Sequence, residues 1–245
     1  MGRGDGAAFP PLPEGGGPHA ANAVEPVTVA LSRAHYPVTV LGHGRRIGLW
    51  FQGCSIGCAG CVARDTWDPD PARAITVDAL VEFCVSTAER EPVDGVTISG
   101  GEPFDQPDAL AALVAALRLW ADDGGRDLLC YSGRSLRALR ADFPRILAAL
   151  DVVIPGPFQA ERAPGGVLRG SANQELVPLT ELGRRRYGDL VAAPADRPRL
   201  QVTAGDDGRL WTIGVPRPGD LETLDAALRR RGLIQTSASW RPPPE

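Results

Sequence analysis

The sequence contains no lysine, and all 26 of its basic side chains are arginines. We attribute this absence to the codon bias of a GC-rich genome and assign it no function. The 30 acidic side chains outnumber the basic ones, which gives a formal net charge of -4. Because phosphate backbones are bound through a basic field, this charge balance predicts no nucleic-acid partner.

The sequence also lacks a long apolar run and a disulfide-like cysteine pattern. A helix that crosses a bilayer needs about 20 apolar residues, and no stretch approaches this length. Residues 1–20 have neither a cationic start nor an apolar core, so we expect no secretory signal. We therefore predict a cytoplasmic protein without a membrane partner. Its five cysteines are an odd number for a disulfide framework, and cytoplasmic thiols stay reduced.

Short apolar runs alternate with helical patterns along most of the chain. We predict strands at Ile47–Phe51, Val96–Ser99, Asp127–Tyr131, Asp151–Ile154, Arg199–Thr203 and Leu210–Val215. Helices are predicted to begin near Thr76, Pro107, Ser135 and Asp220. This alternation indicates an α/β fold with a parallel sheet, and six strands are too few for a closed eight-stranded barrel. An open partial barrel or a wound sheet remains.

The two ends of the sequence differ from this middle. Residues 1–25 are rich in glycine and proline without periodicity, so we predict a disordered leader. We predict one domain over residues 26–235 and a flexible tail over residues 236–245. The stretch from Gly156 to Arg197 lacks a regular pattern, which is typical of functional lids and partner surfaces.

Three of the five cysteines lie close together, directly after the first predicted strand. Cys54, Cys58 and Cys61 have the spacing Cys-x3-Cys-x2-Cys, and the glycines between them allow a tight bend. Three thiolates can hold three corners of a 4Fe-4S cluster, which leaves one iron open for chemistry. A structural zinc with His43 as the fourth ligand is the alternative.

The other two cysteines have a different setting. Cys84 falls on the apolar face of a predicted helix, and Cys130 lies inside a predicted strand. A free cysteine in such a place usually behaves as a small buried hydrophobic side chain. We therefore predict that both belong to the core.

A second motif, SGGEP, follows the second predicted strand at residues 99–103. A glycine pair alone is weak support for a site, because turns favour glycine for their own reasons. Its position carries more weight, since loops that follow parallel strands gather at one edge of the sheet. The cysteine loop and this glycine loop follow consecutive strands, so we expect them to meet.

In this order and spacing, the two motifs resemble those of the radical S-adenosylmethionine superfamily. The resemblance implies an open partial (β/α)6 barrel of radical SAM type, with a 4Fe-4S cluster on Cys54, Cys58 and Cys61 whose open iron chelates S-adenosylmethionine. It assigns four residues to the methionine end of that cofactor: Gly100, Gly101, Glu102 and Pro103. The implied reaction is reductive cleavage of S-adenosylmethionine to a 5′-deoxyadenosyl radical, which takes a hydrogen atom from the substrate.

Within the superfamily, residues 40–177 look most like the short activases, such as the activating proteins of anaerobic ribonucleotide reductase. The cluster segment LWFQGCSIGCAGCVARDTW ends in Trp67, and later stretches resemble that family's GPF and RGSxNQ motifs. Within the second of these, Ser171 and Asn173 could reach the adenosyl group or a partner loop, or could only tie the loop together. Gly60 stands where many superfamily members carry an aromatic residue near the adenine.

The resemblance favours an activase that takes a hydrogen atom from a glycine of a partner glycyl radical enzyme. The short chain agrees with this, because no extra substrate domain would cover the rim. A flavodoxin or ferredoxin-type protein would donate the electron. The alternatives are a tailoring enzyme acting on a small molecule or peptide, and an enzyme that makes deazaguanine precursors. A non-enzymatic iron-sulfur electron-transfer or zinc-binding module would need neither SGGEP nor a missing fourth ligand.

Overall fold

The computed structural model describes residues 25–193, 199–204, 210–235 and 238–241. The strands are β1 (Thr28–Val38), β2 (Arg46–Phe51), β3 (Ala74–Thr76), β4 (Gly95–Gly100), β5 (Asp127–Ser132), β6 (Val152–Pro155), β7 (Val177–Pro178), β8 (Leu200–Ala204) and β9 (Leu210–Gly214). The helices are α1 (Val77–Arg90), α2 (Pro107–Asp123), α3 (Leu136–Asp142), α4 (Pro144–Ala148), α5 (Glu181–Tyr187) and α6 (Asp220–Arg230). The predicted leader lies outside the described residues except for its last position. Of the predicted tail, only residues 238–241 are described.

A seven-stranded sheet in the order β3-β1-β2-β4-β5-β6-β7 forms the centre of the fold. The neighbours β2, β4, β5 and β6 are parallel, whereas β1, β3 and β7 join the sheet in antiparallel pairs. The predicted α/β class with a parallel-rich sheet is therefore confirmed.

The last two predicted strands are present, but they do not extend this parallel sheet. Strands β8 and β9 pair with each other in a separate antiparallel hairpin, so the expected run of six parallel strands is four within the described residues. The reason is the connection between them. Parallel neighbours need a crossover of a dozen or more residues, and only residues 205–209 separate these two strands.

Local signals in the sequence explain where the helices begin. The Thr76 hydroxyl accepts a hydrogen bond from the Ala79 amide at 3.3 Å and caps α1, and the Ser135 hydroxyl caps α3 in the same way. Pro107 and Pro144 are the first residues of α2 and α4, positions at which the missing proline N–H costs nothing. None of the helices in the described ranges is long and apolar enough to cross a membrane.

The two faces of the sheet are covered differently. Helices α1 and α2 pack on one face, against alternate residues of the parallel strands such as Ile47 and Ile98. Cys84 and Cys130 lie in this core, both fully buried, so the predicted core role of these two cysteines is confirmed. Burial raises the pKa of the Cys84 thiol to about 12. The opposite face is covered by the chain between Val167 and Leu190.

A buried ion pair closes the end of the sheet at which the parallel strands begin. The Arg46 guanidinium lies 2.8 Å from the Asp127 carboxylate, and both side chains are fully buried. The Tyr187 hydroxyl donates to the same carboxylate at 2.9 Å, and Arg46 also donates to the Thr97 hydroxyl at 2.6 Å. A buried charge needs such complete pairing. The cysteine and glycine motifs lie at the other end of these strands.

Beyond the family-like segment, the described residues between 199 and 241 form what we call the C-terminal addition. Its hairpin reaches β1 through the Gln201 amide, which donates to the Pro37 carbonyl at 2.7 Å. The Trp211 ring stacks on His35 with 5.6 Å between ring centroids. Arg199 donates to the Arg169 carbonyl at 2.7 Å. The addition is thus attached both to the sheet edge and to the long loop before β7.

Candidate functional site

The loops that follow the four parallel strands meet at one edge of the sheet, which we call the rim. The cysteine loop after β2 and the glycine loop after β4 are joined there by two backbone hydrogen bonds. The Gly101 amide donates to the Phe51 carbonyl at 2.9 Å, and the Glu102 amide donates to the Gly53 carbonyl at 2.9 Å. The expected meeting of the two motifs is therefore confirmed.

The cysteine loop is fastened to the segment that follows it. The Gly53 amide donates to the Thr66 carbonyl at 2.8 Å, and the Cys54 amide donates to the Trp67 carbonyl at 2.9 Å. The glycines of the loop have positive φ angles: 99° at Gly53, 61° at Gly57 and 77° at Gly60. Glycine adopts this left-handed region without steric cost, so its spacing allows the loop to fold back on itself.

The three thiols of the loop are partly exposed and form no disulfide. Burial raises the pKa of Cys58, and the nearby Cys61 and Cys54 thiolates raise it further, against a hydrogen bond from the Phe158 amide. Burial likewise raises the pKa of Cys61, against hydrogen bonds from two N–H groups of the following segment. A bound metal centre would hold the thiolates deprotonated together.

The two glycines of SGGEP allow the close approach of these loops. A Cβ atom at Gly100 would lie 2.3 Å from the Phe51 amide nitrogen, and one at Gly101 would lie 2.0 Å from the Gly53 carbonyl oxygen. Real Cβ contacts are never this short. Any larger residue at either position would push the glycine loop away from the cysteine loop.

The Glu102 side chain is buried and forms hydrogen bonds within the protein. Its carboxylate accepts hydrogen bonds from the Phe104 amide at 3.1 Å, the Ser132 hydroxyl at 2.9 Å and the Gly133 amide at 2.6 Å. Burial raises its pKa, and these hydrogen bonds oppose that shift. Glu102 thus ties the loop after β4 to the loop after β5. Its predicted contact with S-adenosylmethionine, like those of Gly100, Gly101 and Pro103, stays a prediction.

The two later motifs interlock across the long loop between β6 and β7. Three hydrogen bonds join them: Gln159 amide to Ser171 hydroxyl at 3.1 Å, Asn173 side-chain amide to Pro157 carbonyl at 2.7 Å, and Gln174 side-chain amide to Gly156 carbonyl at 2.9 Å. Ser171 is fully buried, which agrees with a tying role. The Asn173 Oδ1 atom is buried without a hydrogen-bond partner among the described residues, so it can still accept one from a ligand.

Phe158 links this interlocked loop to the cysteines. A Cβ atom at Gly60 would lie 3.3 Å from the Phe158 ring, and one at Gly170 would lie 2.9 Å from the other side of it. The Phe158 ring therefore lies between two glycines, and its amide is the one that donates to Cys58. Gly60 leaves the space that this ring occupies. The aromatic ring beside position 60 comes from a different loop in this chain.

A family profile described as a 4Fe-4S single cluster domain matches residues 40–177, more than half of the chain. The chain belongs to the 4Fe-4S single cluster domain family. The matched residues contain all three cysteines of the loop, SGGEP and the interlocked motifs.

Curated relatives of this 4Fe-4S single cluster domain protein agree with one another. This chain is 30% identical over 149 residues to the anaerobic ribonucleoside-triphosphate reductase-activating protein of Vibrio cholerae. The alignment covers 60% of this chain and 96% of the relative. The same-named protein of Escherichia coli is 28% identical over 150 residues, with 59% and 96% covered. The resemblance drawn from the motifs is confirmed.

Among solved structures, QueE from Escherichia coli is 19% identical, with a TM-score of 0.36, over 44% of this chain and 53% of that one. At that TM-score the likeness supports no conclusion about the site.

The donor set fits a cluster better than a single metal ion. No three cysteine, histidine, aspartate or glutamate side chains in the described part of the chain converge where one ion could sit. A single zinc would need its thiolates at about 2.3 Å from one point. In a cubane each thiolate binds a different iron, so three spread thiols on one loop suit it.

His43 is far from the cysteines, which removes the fourth ligand of the zinc alternative. It lies before the first residue of β2, whereas the cysteine loop follows the last, and the strand between spans about 16 Å. Its amide donates to the Tyr187 hydroxyl at 2.9 Å, beside the buried ion pair at the opposite end of the sheet.

Sequence reasoning missed the side chains that brace the cysteine loop. Asp105 accepts hydrogen bonds from the Ser55 amide at 2.6 Å and the Ser55 hydroxyl at 2.9 Å, and it also binds Arg134 at 2.7 Å. Gln106 donates to the Gln52 carbonyl at 3.0 Å. The only sequence signal for Asp105 and Gln106 was their position between SGGEP and the start of the next helix.

Proposed function

We propose that this chain is a radical S-adenosylmethionine enzyme that activates a glycyl radical enzyme. The observation that carries the proposal is that the glycine loop of SGGEP is hydrogen-bonded to the loop that carries Cys54, Cys58 and Cys61. When bound, the 4Fe-4S cluster and S-adenosylmethionine would supply a 5′-deoxyadenosyl radical that abstracts a hydrogen atom. Cys54, Cys58 and Cys61 are the proposed cluster ligands.

The proposed cofactor contacts divide between two parts of the rim. The backbone of Gly100 to Pro103 borders the cysteine loop and can present polar groups to the methionine end. The free Oδ1 atom of Asn173 is an acceptor suited to an adenosine hydroxyl or amino group. Ser171 is already hydrogen-bonded and would act by holding that loop in place.

The proposed substrate follows from the relatives. These relatives are activating proteins of anaerobic ribonucleoside-triphosphate reductase, and this chain spans nearly their whole length. We propose a glycine of a partner glycyl radical enzyme as the hydrogen donor, and a flavodoxin or ferredoxin-type protein as the electron donor. A cytoplasmic location fits five free cysteines.

A second candidate, a tailoring enzyme for a small molecule or peptide, is favoured by one observation. The C-terminal addition lies outside the family match and contacts both the Arg169 region and the segment after Cys61. The addition therefore lies beside the rim, and the family profile does not include it. A narrower entrance would suit a small or extended substrate.

Anaerobic reconstitution and isotope tracing test the proposal. The reconstituted chain is expected to hold about four irons, and with reductant and S-adenosylmethionine it should release 5′-deoxyadenosine. Deuterium on the glycine of a candidate partner should move into that product. Label arriving from a small molecule or peptide instead would establish the second candidate. One zinc per chain and no cleavage would overturn both.

A further inference from the structure

The Gln106 side chain lies at the point where β2 leaves β1 and becomes the cysteine loop. Ala30 of β1 and Gln52, the residue after β2, continue the register in which Leu31 lies opposite Phe51. The Gln52 amide donates to the Ala30 carbonyl at 2.8 Å. In a regular antiparallel pair the Ala30 amide would donate to the Gln52 carbonyl in return. Here both of these groups bind the Gln106 side chain instead.

Three hydrogen bonds hold the Gln106 side-chain amide in this position. Its Oε1 atom accepts from the Ala30 amide at 2.7 Å. Its Nε2 atom donates to the Ala30 carbonyl at 3.2 Å and to the Gln52 carbonyl at 3.0 Å. Both N–H groups and the oxygen of the side-chain amide are thereby used. A direct hydrogen bond between the two strands is thus replaced by a link to the segment that follows SGGEP.

Gln52 lies at the base of the cysteine loop, where the chain enters and leaves it. The Gln52 Nε2 atom donates to the Asp65 carbonyl at 3.2 Å and to the Asp68 carbonyl at 2.6 Å. The backbone amides of Gly53 and Cys54 donate to the two carbonyls between these. A shift of Gln52 would therefore move the point at which the loop closes.

The backbone of Gln106 is fixed to the glycine loop on its other side. The Gln106 amide donates to the Pro103 carbonyl at 3.2 Å, and its carbonyl accepts from the Leu110 amide of α2 at 2.9 Å. One residue thus connects the end of SGGEP with the base of the cysteine loop.

We propose that Gln106 is a positioning residue that holds the cysteine loop at a fixed distance from the glycine loop. It acts through the backbone of Ala30 and Gln52. The proposal rests on the proposed function only where it concerns cofactors: the fixed distance would keep the proposed cluster ligands in place relative to the S-adenosylmethionine site at Gly100 to Pro103. A site carried by loops needs such support, because a misplacement of about 1 Å already weakens it.

A second glutamine provides a matched control at the other end of β1. The Gln201 oxygen accepts from the Thr39 amide at 3.0 Å, and its nitrogen donates to the Pro37 carbonyl at 2.7 Å. These residues flank Val38, which pairs with Arg46 at the start of β2, far from the rim. Methionine has nearly the length of glutamine but no N–H donor. Gln106→Met and Gln201→Met therefore remove comparable bonds at opposite ends of one strand.

Hydrogen exchange in the full-length chain without cofactors tests the position of the loop directly. In Gln106→Met the amides of residues 53–61 should exchange roughly two- to tenfold faster than in the parent, the factor that corresponds to one hydrogen bond of ordinary net strength. Gln201→Met should leave these amides at the parent rate. Similar losses of unfolding free energy in urea for the two variants would show that the difference is local to the rim.

The second measurement uses the reconstituted chain and does not depend on turnover. Gln106→Met should bind S-adenosylmethionine roughly two- to tenfold more weakly and release iron to a chelator faster, whereas Gln201→Met should match the parent. Gln106→Glu keeps the acceptor for the Ala30 amide and loses both donated bonds, so it should show the same changes. It serves as the test if the methionine variant does not fold.

Parent exchange rates and parent affinity in a folded Gln106 variant would overturn the proposal, and so would equal changes in Gln201→Met. Failure of both Gln106 variants to fold would assign the residue to the stability of the sheet and would overturn it as well. A parent chain that holds no iron and sulfide after reconstitution would instead overturn the proposed function, while hydrogen exchange without cofactors would decide the role of Gln106 on its own.

Discussion

The family segment, residues 40–177, and the C-terminal addition differ in how much hydrophobic packing holds them in the molecule. In the family segment the central strands bury large side chains completely, as at Ile47, Ile98 and Leu128. In the described part of the addition, Ile213 and Leu228 are the only buried hydrophobic side chains. The addition is attached by a small apolar cluster, in which Ile213 packs with Val38 and Leu41, and by hydrogen bonds and ring contacts. An extensive core therefore fixes the site, whereas a small apolar cluster and polar contacts attach the addition.

The largest expected difference is between two cysteines of the family segment. Cys58→Ala should abolish the cluster, because a cubane with two protein ligands is poorly held. Cys84→Ala removes one buried atom from the core and should cost roughly 1 kcal/mol of unfolding free energy while the cluster stays. Iron and sulfide per chain after anaerobic reconstitution measure both variants. Equal losses in the two would contradict the division of the cysteines.

The next largest effect is expected at the buried ion pair, compared with an ion pair in the addition. Asp127→Asn leaves Arg46 buried without a counter-charge and should cost about 3–5 kcal/mol of unfolding free energy. Asp225→Asn weakens two partly exposed pairs, with Arg229 and with Arg241, and should cost about 1 kcal/mol or less. Urea denaturation of both variants measures the comparison. Similar costs would mean that the buried pair is not the stronger anchor.

The same carboxylate predicts a pH dependence. Burial alone raises the pKa of Asp127, but the attraction of Arg46 and hydrogen bonds from Arg46, Arg186 and Tyr187 outweigh it, so the folded pKa is lowered. Its stabilisation is then complete above the unfolded pKa and is lost as pH falls through the folded pKa, below about 4. In acid denaturation, the Asp127→Asn variant should not show this loss of unfolding free energy as the pH falls.

The sequence predicted the rim well because the rim follows from local strand patterns and from a general rule of parallel sheets. Strand periods located β2, β4, β5 and β6, and the ends of parallel strands must meet at one edge, so the two motifs were expected together. The sequence could not predict the hydrogen-bond partners of Glu102. A carboxylate after two glycines indicates a rim position, but only the fold shows that the Ser132 hydroxyl and the Gly133 amide already use it.

The addition shows where sequence reasoning stops. Local apolar runs predicted β8 and β9 but could not choose their pairing partners, which depend on residues far away along the chain. Strand β1, to which the hairpin is attached, was not predicted at all. Its alternation is interrupted by irregularities between Leu31 and Arg33 and between His35 and Val38, where the register with β2 shifts.

A smaller effect is expected where the long loop meets the cysteine loop. Gly60→Ala forces a left-handed φ of 77° on a residue with a Cβ atom and crowds the Phe158 ring, which together should cost about 1–2 kcal/mol. Gly188→Ala is the control, because nothing lies within 4 Å of its Cβ position. The free energy of unfolding and the iron retained after reconstitution should fall only in the first variant. Equal values would show that the ring contact is not required.

The smallest effect is expected in the addition itself. Trp211→Ala removes the stack on His35 and the contact with Arg33, 5.9 Å from the ring centroid, interactions worth about 1 kcal/mol at a partly exposed site. Because few buried side chains support the hairpin, the loss should appear as local opening. Hydrogen exchange should quicken in β8 and β9 and stay unchanged in β2, β4 and β5. Faster exchange throughout the parallel strands would mean that the addition supports the core as well as being supported by it.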